Sequence, residues 1–299
     1  MTATNRGLDV LLEPSEDLRH VRYGSRLLRG LPKVVAGASV IILVIILVCA
    51  IFAPLIAPHN PNVPDLLNPY GVPSAAHPLG QDSAGRDILS RLLYGARLSL
   101  LGPTIVIAIA FVVGVPLGFA AAYSGGWRDV LVSRAFDLIF AFPALLLAIV
   151  IVATFGTNFY SAVFAVTVTY IPLMGRVVRA ACLVESQKPY VEACRLQGYG
   201  SWRILVLHVA PNIGRILVSQ TTLYFAYALL DLSALSFLGL GAQPPEIDWG
   251  GMLENANQGV FQSPTGVIFP AVAIILLVVP LNFVADWVLE YNRGREERR

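Results

Sequence analysis

Six stretches of this chain stay nearly free of charge for long enough to cross a lipid bilayer. About 20 apolar residues in helical form span ~30 Å of hydrocarbon, and within lipid only a helix or a closed barrel satisfies its own backbone hydrogen bonds. Residues 34–57, 98–123, 138–155, 158–175, 216–238 and 265–285 meet that length, with a single acid, Asp231, inside the fifth. Gly156 and Thr157 separate the third from the fourth. Only 13% of the 299 residues are charged and mean hydropathy is +0.68, whereas a soluble domain carries about 25% charge. The expectation is an all-α membrane protein with six transmembrane helices, multi-pass in a lipid bilayer.

Positive charge orients such a chain, because Lys and Arg concentrate in cytoplasmic segments. Of the 21 Lys and Arg, all but Arg86, Arg91 and Arg97 fall before the first run, between the second and third, between the fourth and fifth, or after the sixth. Both termini are therefore expected in the cytoplasm. The net charge of +2 is an orientation signal and points to no nucleic-acid partner. The first apolar run is too long and lies too far in for a cleaved signal peptide. Cys182 and Cys194 are expected on the cytoplasmic side, where no disulfide forms.

These signals divide the chain into a polar cytoplasmic tail (1–33), a six-span membrane domain (34–290) and a basic cytoplasmic tail (291–299). The first tail has the composition for a basic helix near Arg19–Arg29 lying against the membrane. Within the domain, 59–97 and 239–264 are expected as external loops and 186–211 as a cytoplasmic loop. Prolines in "APHNPNVPDLLNPYGVPSAAHPLG" exclude helix and favour an extended path. The following "QDSAGRDILSRLLYGARLSL" predicts an interfacial helix leading into the second span. Leu89, Leu92, Leu93 and Ala96 would form its apolar face, with Arg86, Asp87 and Arg97 wet. The 239–264 loop has the length for a small re-entrant or lid-like element. Gly114 and Gly118, at GxxxG spacing, predict close helix packing within the chain.

"YVEACRLQGYGSWRILVLHVAP", residues 190–211, is too polar to enter lipid and carries its own stop and start signals. Pro189 suits a first helical turn, and Glu192 complements the positive end of the helix dipole. Gly198 falls where the helix ends. Ser201 is expected to N-cap a second helix, which runs to about Val209 before Pro211 marks the entry to span five. The product is a helix–glycine–helix elbow.

The chain has no means of using ATP itself, since neither Lys33 nor Lys188 stands in the G-x-x-x-x-G-K-[ST] context of a phosphate-binding loop. Zinc-protease, nucleophile-elbow and Cys/His metal spacings are missing too. His20, His59, His77 and His208 are scattered, each expected in a surface or core role, so no catalytic or metal-ligating residue is assigned. One mid-span acid and no internal repeat argue against an ion-coupled secondary transporter. No catalytic pair lies inside the spans to suggest an intramembrane enzyme. A membrane scaffold would leave the elbow unexplained.

The elbow resembles the E-A-A–x3–G loop of permease subunits in bacterial ABC importers, with Glu192, Ala193, Gly198 and Pro211 on its characteristic positions. Cys194 stands where alanine is usual, and Leu196 and Gly200 also depart from the pattern. "HPLGQDSAGRDILSRLLYGARLSL" (77–100) and "LSFLGLGAQPPEIDWGGML" (235–253) are similar to signatures of the dipeptide/oligopeptide/nickel branch, in its shorter C-type permease. The resemblance covers roughly residues 34–290. It implies a type I ABC importer permease fold in the bacterial cytoplasmic membrane and a heterodimer with a homologous second permease. It also implies one or two P-loop ATPase subunits that hold ATP and Mg, and an extracytoplasmic substrate-binding protein. This chain would carry no cofactor and no ATPase site.

By the same resemblance, Glu192, Ala193, Arg195, Gly198, Ser201 and Pro211 would couple to the ATPases. Asp82, Arg86, Asp87, Trp249 and Gly250 would face the binding protein. Asp231 would lie on the translocation path, attracting a substrate ammonium group, or make a structural hydrogen bond or salt bridge to the partner permease. Di- and oligopeptides are the expected substrates; the alternatives are nickel or another small solute, or an ion-coupled secondary transporter.

Overall fold

Each long uncharged run forms helix. The computed structural model describes residues 31–296, and no strand occurs among them. α1 (Leu31–Ile51) leads into a one-turn helix, α2 (Ala53–Ile56), with Pro54 in its first turn. Residues 57–87 contain no helix, as their prolines dictate. Then come α3 (Ile88–Ser124), α4 (Gly126–Phe140), α5 (Ala144–Phe155) and α6 (Phe159–Glu185). α7 (Pro189–Leu196), α8 (Ser201–Ile204), a π-helical turn (Leu205–Val209) and α9 (Ala210–Phe237) follow. α10 (Trp249–Asn257) and α11 (Thr265–Glu296) complete the described chain. The expected basic helix near Arg19–Arg29 lies outside the described residues. The expected 291–299 tail continues α11 as far as Glu296.

Two expectations need correction. The interfacial helix and the second span are one unbroken helix of 37 residues, α3. It starts where the Asp87 carboxylate accepts the Ser90 amide at 2.7 Å, and Asp87 is 2% exposed rather than wet. The third span is also not a straight helix over 138–155. Phe142 precedes Pro143 and is driven out of the helical region, so the chain breaks into α4 and α5, which meet at 84°. The twelve residues of α5 rise about 18 Å, too short to cross ~30 Å of hydrocarbon. Among the described residues, five helical segments are long and apolar enough to cross a bilayer, and a sixth crossing exists if the bent pair counts as one.

α3 and α6 form the centre. A Cβ on Gly114 would sit 2.6 Å from the Ile171 carbonyl oxygen, and one on Gly118 would sit 2.5 Å from that of Gly175. The GxxxG pair therefore does what small residues do between membrane helices: it lets two backbones touch. α4 is tied alongside α6 by ion pairs. Asp129 accepts both Nε and an Nη of Arg179 at 2.6 and 2.7 Å, and Asp137 accepts Arg176 at 2.6 Å.

Three buried clusters lie along α3. The middle one joins Val106 and Ala110 to Val152 of α5, Val166 of α6 and Leu235 of α9. Toward the end of α3, Val115 meets Met174 and Val178 of α6 and the elbow. Near its start, Ile88 and Ala96 meet α10, α11 and Ala50 of α1. Exposed Val34, Ile41, Ile45, Ile275 and Val279 run down α1 and α11, an apolar surface suited to lipid tails.

Candidate functional site

The elbow is built from local signals. Pro189 opens α7, Glu192 sits in its first turn and Arg195 in its last, both complementary to the dipole. The Tyr199 amide donates to the Cys194 carbonyl at 3.1 Å and the Gly198 amide to the Arg195 carbonyl at 3.0 Å, the paired bonds of a Schellman stop. Gly198 has φ +75, and a Cβ there would meet nothing within 4 Å. The demand for glycine is therefore conformational, not steric. One expectation shifts by a residue: Gly200, extended at ψ 145, is the N-cap of α8, while Ser201 is the first helical residue and its side chain makes no capping bond.

The helix after the elbow does not stop at Val209. Pro211 has no N–H to give and its ring crowds the preceding turn, so the helix widens to π geometry over Leu205–Val209 and continues as α9. The His208 carbonyl is taken up by Asn212 Nδ2 at 2.9 Å.

Two faces result. Val191, Ile204, Leu205, Val209 and Ile213 are buried against Met174, Val178 and Cys182 of α6. Glu192, Ala193, Arg195, Gly198, Ser201 and Pro211 are exposed. So are Leu196 at 85% and Trp202 at 73%, with Arg203 stacked on Tyr199 at 4.8 Å. All six residues assigned to coupling are thus uncovered in this chain.

Glu185, which the sequence did not single out, fixes the elbow to α6. Its side chain is 9% exposed, accepts the Tyr190 hydroxyl at 2.7 Å and pairs with Lys188 at 2.8 Å. Asn212 donates to the same hydroxyl at 2.9 Å. Burial and then the Glu185 contact push the Tyr190 hydroxyl up to about 12, so it stays a proton donor. The available signal was slight: an acid three residues before one of only two lysines.

At the other end of α3, the five residues assigned to a binding protein all turn inward. Asp82 closes its own turn, accepting the Ala84 and Arg86 amides at 2.9 and 3.0 Å. It also pairs with Arg86 Nε at 2.8 Å and Arg91 Nε at 3.3 Å. Asp87 caps α3. Trp249 is 2% exposed, its indole donating to the Leu92 carbonyl and its amide to Ser99 Oγ, both at 3.0 Å. Gly250 is pressed so closely on α9 that a Cβ would overlap Ser233. In this chain Asp87, Trp249 and Gly250 are buried and Asp82 and Arg86 are partly covered, so these residues brace the fold and hold α10 in place. Among the large apolar side chains, Leu66, Leu67, Val72 and Phe261 are strongly exposed here.

The histidines are not all scattered. His59 and His77 stack at 4.5 Å beside Asp87. Asp231, half-buried in α9, accepts the Tyr170 hydroxyl of α6 at 2.8 Å. Its hydrogen bond is therefore made within this chain.

Comparison with known proteins gives two family matches: residues 114–297 to the binding-protein-dependent transport system inner membrane component, and residues 33–73 to the N-terminal transmembrane domain of oligopeptide transport permease C. The chain is 39% identical to the dipeptide transport system permease protein of Alkalihalophilus pseudofirmus over 251 residues, 84% of this chain and 83% of that protein. It is 38% identical to the glutathione transport system permease protein of Pectobacterium atrosepticum, over 88% of this chain and 87% of that one. It is 39% identical to the di/tripeptide transport system permease protein of Pseudomonas aeruginosa, over 84% and 85%. The fold is similar to a chain of the inward-facing MetNI methionine ABC transporter, with TM-score 0.58 and 18% identity over 68% of this chain and 97% of that chain.

Proposed function

The chain belongs to the family of binding-protein-dependent transport system inner membrane components, a multi-pass permease of the cytoplasmic membrane whose ATP hydrolysis lies in separate subunits, and from that premise we propose that it is the C-type permease of a di- or oligopeptide importer. Peptide transport is supported by the relatives, whose names specify dipeptides, di/tripeptides and glutathione. A second, homologous permease would complete the pathway, ATP and Mg would bind on one or two kinds of P-loop ATPase, and an extracytoplasmic binding protein would deliver the peptide. Both termini, and with them residues 186–211, would face the cytoplasm, as the Lys and Arg distribution favours.

The observation that carries the mechanism is the two-faced elbow. A short amphipathic helix with its apolar side seated and its polar side bare is built for docking in a groove. Glu192, Arg195 and Trp202 would meet the ATPase. Val191, Ile204 and Leu205 would pass its movement to α6 and α9, as rigid-body gating. Asp231, held by Tyr170, would lie on the path and attract a peptide ammonium group.

The test is co-purification of the complex from its operon, with ATPase assay, for the wild type, Glu192→Ala and Gly198→Pro. The wild type is expected to retain ATPase subunits and hydrolyse ATP in response to loaded binding protein. Gly198→Pro is expected to lose the ATPases, and Glu192→Ala to weaken their binding or its coupling. A wild-type chain that purifies with no ATPase, or elbow variants indistinguishable from it, refutes the assignment.

A further inference from the structure

His59, His77 and Asp87 stand far apart in sequence and close together in space. His59 follows α2, His77 ends the proline-rich stretch and Asp87 caps α3. His77 Nδ1 lies 3.0 Å from Asp87 Oδ1 and His59 Nδ1 lies 4.0 Å from Asp87 Oδ2. One ligand atom from each residue falls within 4.8 Å of the other two. Two imidazoles stacked face to face at 4.5 Å repel if both are protonated. Both rings turn Nδ1 toward one carboxylate, His77 within hydrogen-bond distance of it, so two nitrogens and an oxygen converge on one point.

We propose that His59, His77 and Asp87 form a binding site for a divalent first-row transition metal ion at the end of α3 remote from the elbow. Two imidazole nitrogens and one carboxylate oxygen suit Zn²⁺ and its neighbours rather than Ca²⁺ or Mg²⁺. With metal–ligand bonds of about 2.1 Å, tetrahedral ligand atoms sit roughly 3.4 Å apart. His77 stands 3.0 Å from Oδ1 and His59 4.0 Å from Oδ2, and with one atom from each residue within 4.8 Å of the others the set must draw together to close on one ion. His59 keeps a side chain 41% exposed, so water can fill a fourth position.

The surroundings hold these ligands in place. Ser90 donates its amide and hydroxyl to Asp87 Oδ2 at 2.7 and 2.6 Å, leaving Oδ1 to its hydrogen bond with His77 Nδ1 at 3.0 Å. The same Ser90 oxygen accepts the His59 amide at 3.1 Å. The backbone of His77 is fixed in a turn with Ser74, whose hydroxyl accepts the His77 amide at 3.1 Å. Ser90 thus orients the carboxylate, as an outer partner of a metal ligand does, while the bonds to the two backbone amides fix where the histidines start. Arg86 and Arg91 share the single carboxylate of Asp82, which leaves one net positive charge near the site for the ligands to outweigh. A bound ion would staple the proline-rich loop to the start of α3. It would do so whether or not the chain imports peptides.

The test uses the intact complex, purified through a histidine-free tag, stripped by chelator and titrated with Zn²⁺ against a chromophoric competitor. One equivalent per chain is expected, with affinity falling at least about tenfold in His59→Gln and in His77→Gln. Zn²⁺ is expected to raise the melting temperature of the wild type and of neither variant. His59→Gln alters an exposed ring and His77→Gln can still donate to Asp87, so both are expected to fold; the exposed His59→Gln decides alone if the other does not. Wild type that binds no Zn²⁺, or variants that bind and are stabilised equally, overturns the proposal.

Discussion

Glu185 shows how one buried acid can set the angle of a lever. It holds Tyr190 and Lys188 from the last turn of α6, so α7 cannot pivot without breaking both contacts. Glu185→Ala removes the main acceptor of the part-buried Tyr190 hydroxyl and the partner of an exposed ammonium, at a cost of about 1 kcal/mol. The expected result is an assembled complex that still binds its ATPases but transports less per ATP hydrolysed. Glu185→Gln, which still accepts from Tyr190, is expected to keep most of that coupling. Paired measurement of ATP hydrolysis and peptide uptake in proteoliposomes checks this. Unchanged coupling in Glu185→Ala would remove Glu185 from the mechanism. The residue was hard to find because its importance lies in contacts made after the chain turns back on itself.

Among the elements, the α3–α6 pair is the least forgiving. Gly118 touches the Gly175 carbonyl and Val178 of α6, so Gly118→Val must separate two backbones. Overpacking of this kind costs about 1–3 kcal/mol. Gly214 in α9 is the contrast, since a Cβ there meets nothing within 4 Å; alanine should be neutral or slightly stabilising. Thermal unfolding in detergent is expected to show a clear drop for Gly118→Val and none for Gly214→Ala. Equal melting temperatures would mean that α3 and α6 are not packed as described. The GxxxG spacing made this contact legible in the sequence. The fate of 138–155 was less so. "LIFAFPALLLAIV" is uncharged throughout, and composition counts length, not direction. Pro143 interrupts the helix, and the direction taken across the 84° bend puts α4 where Asp129 and Asp137 pair with Arg179 and Arg176 of α6.

For the whole molecule, the clusters along α3 set two ends. The elbow packs near Tyr123 and Val115, and α10 packs near Ile88 and Ala96. The ends should lie on opposite sides of the membrane. Leu196 and Phe261 are 85% and 99% exposed, one at each end. With Cys49, Cys182 and Cys194 replaced by alanine, Phe261→Cys is expected to react with a membrane-impermeant maleimide in intact spheroplasts. Leu196→Cys is expected to react only after lysis. Labelling of both from outside would refute the orientation.

The sequence by itself determined which stretches are helical and that the elbow breaks at Gly198, though not where every helix begins, bends or ends. Absence of charge over a bilayer's width, a proline without its N–H and a glycine at positive φ act on their own few residues, whatever surrounds them. The tertiary structure alone decided that Asp82, Arg86, Asp87, Trp249 and Gly250 face inward, and that His59 and His77 meet at Asp87. Trp249 meets Ser99 across 150 positions, and His59 meets Ser90 across 31. A contact over such a separation leaves no periodic trace in the chain. It depends on α3 running unbroken past its neighbours, so that both loops arrive at the same end of one helix.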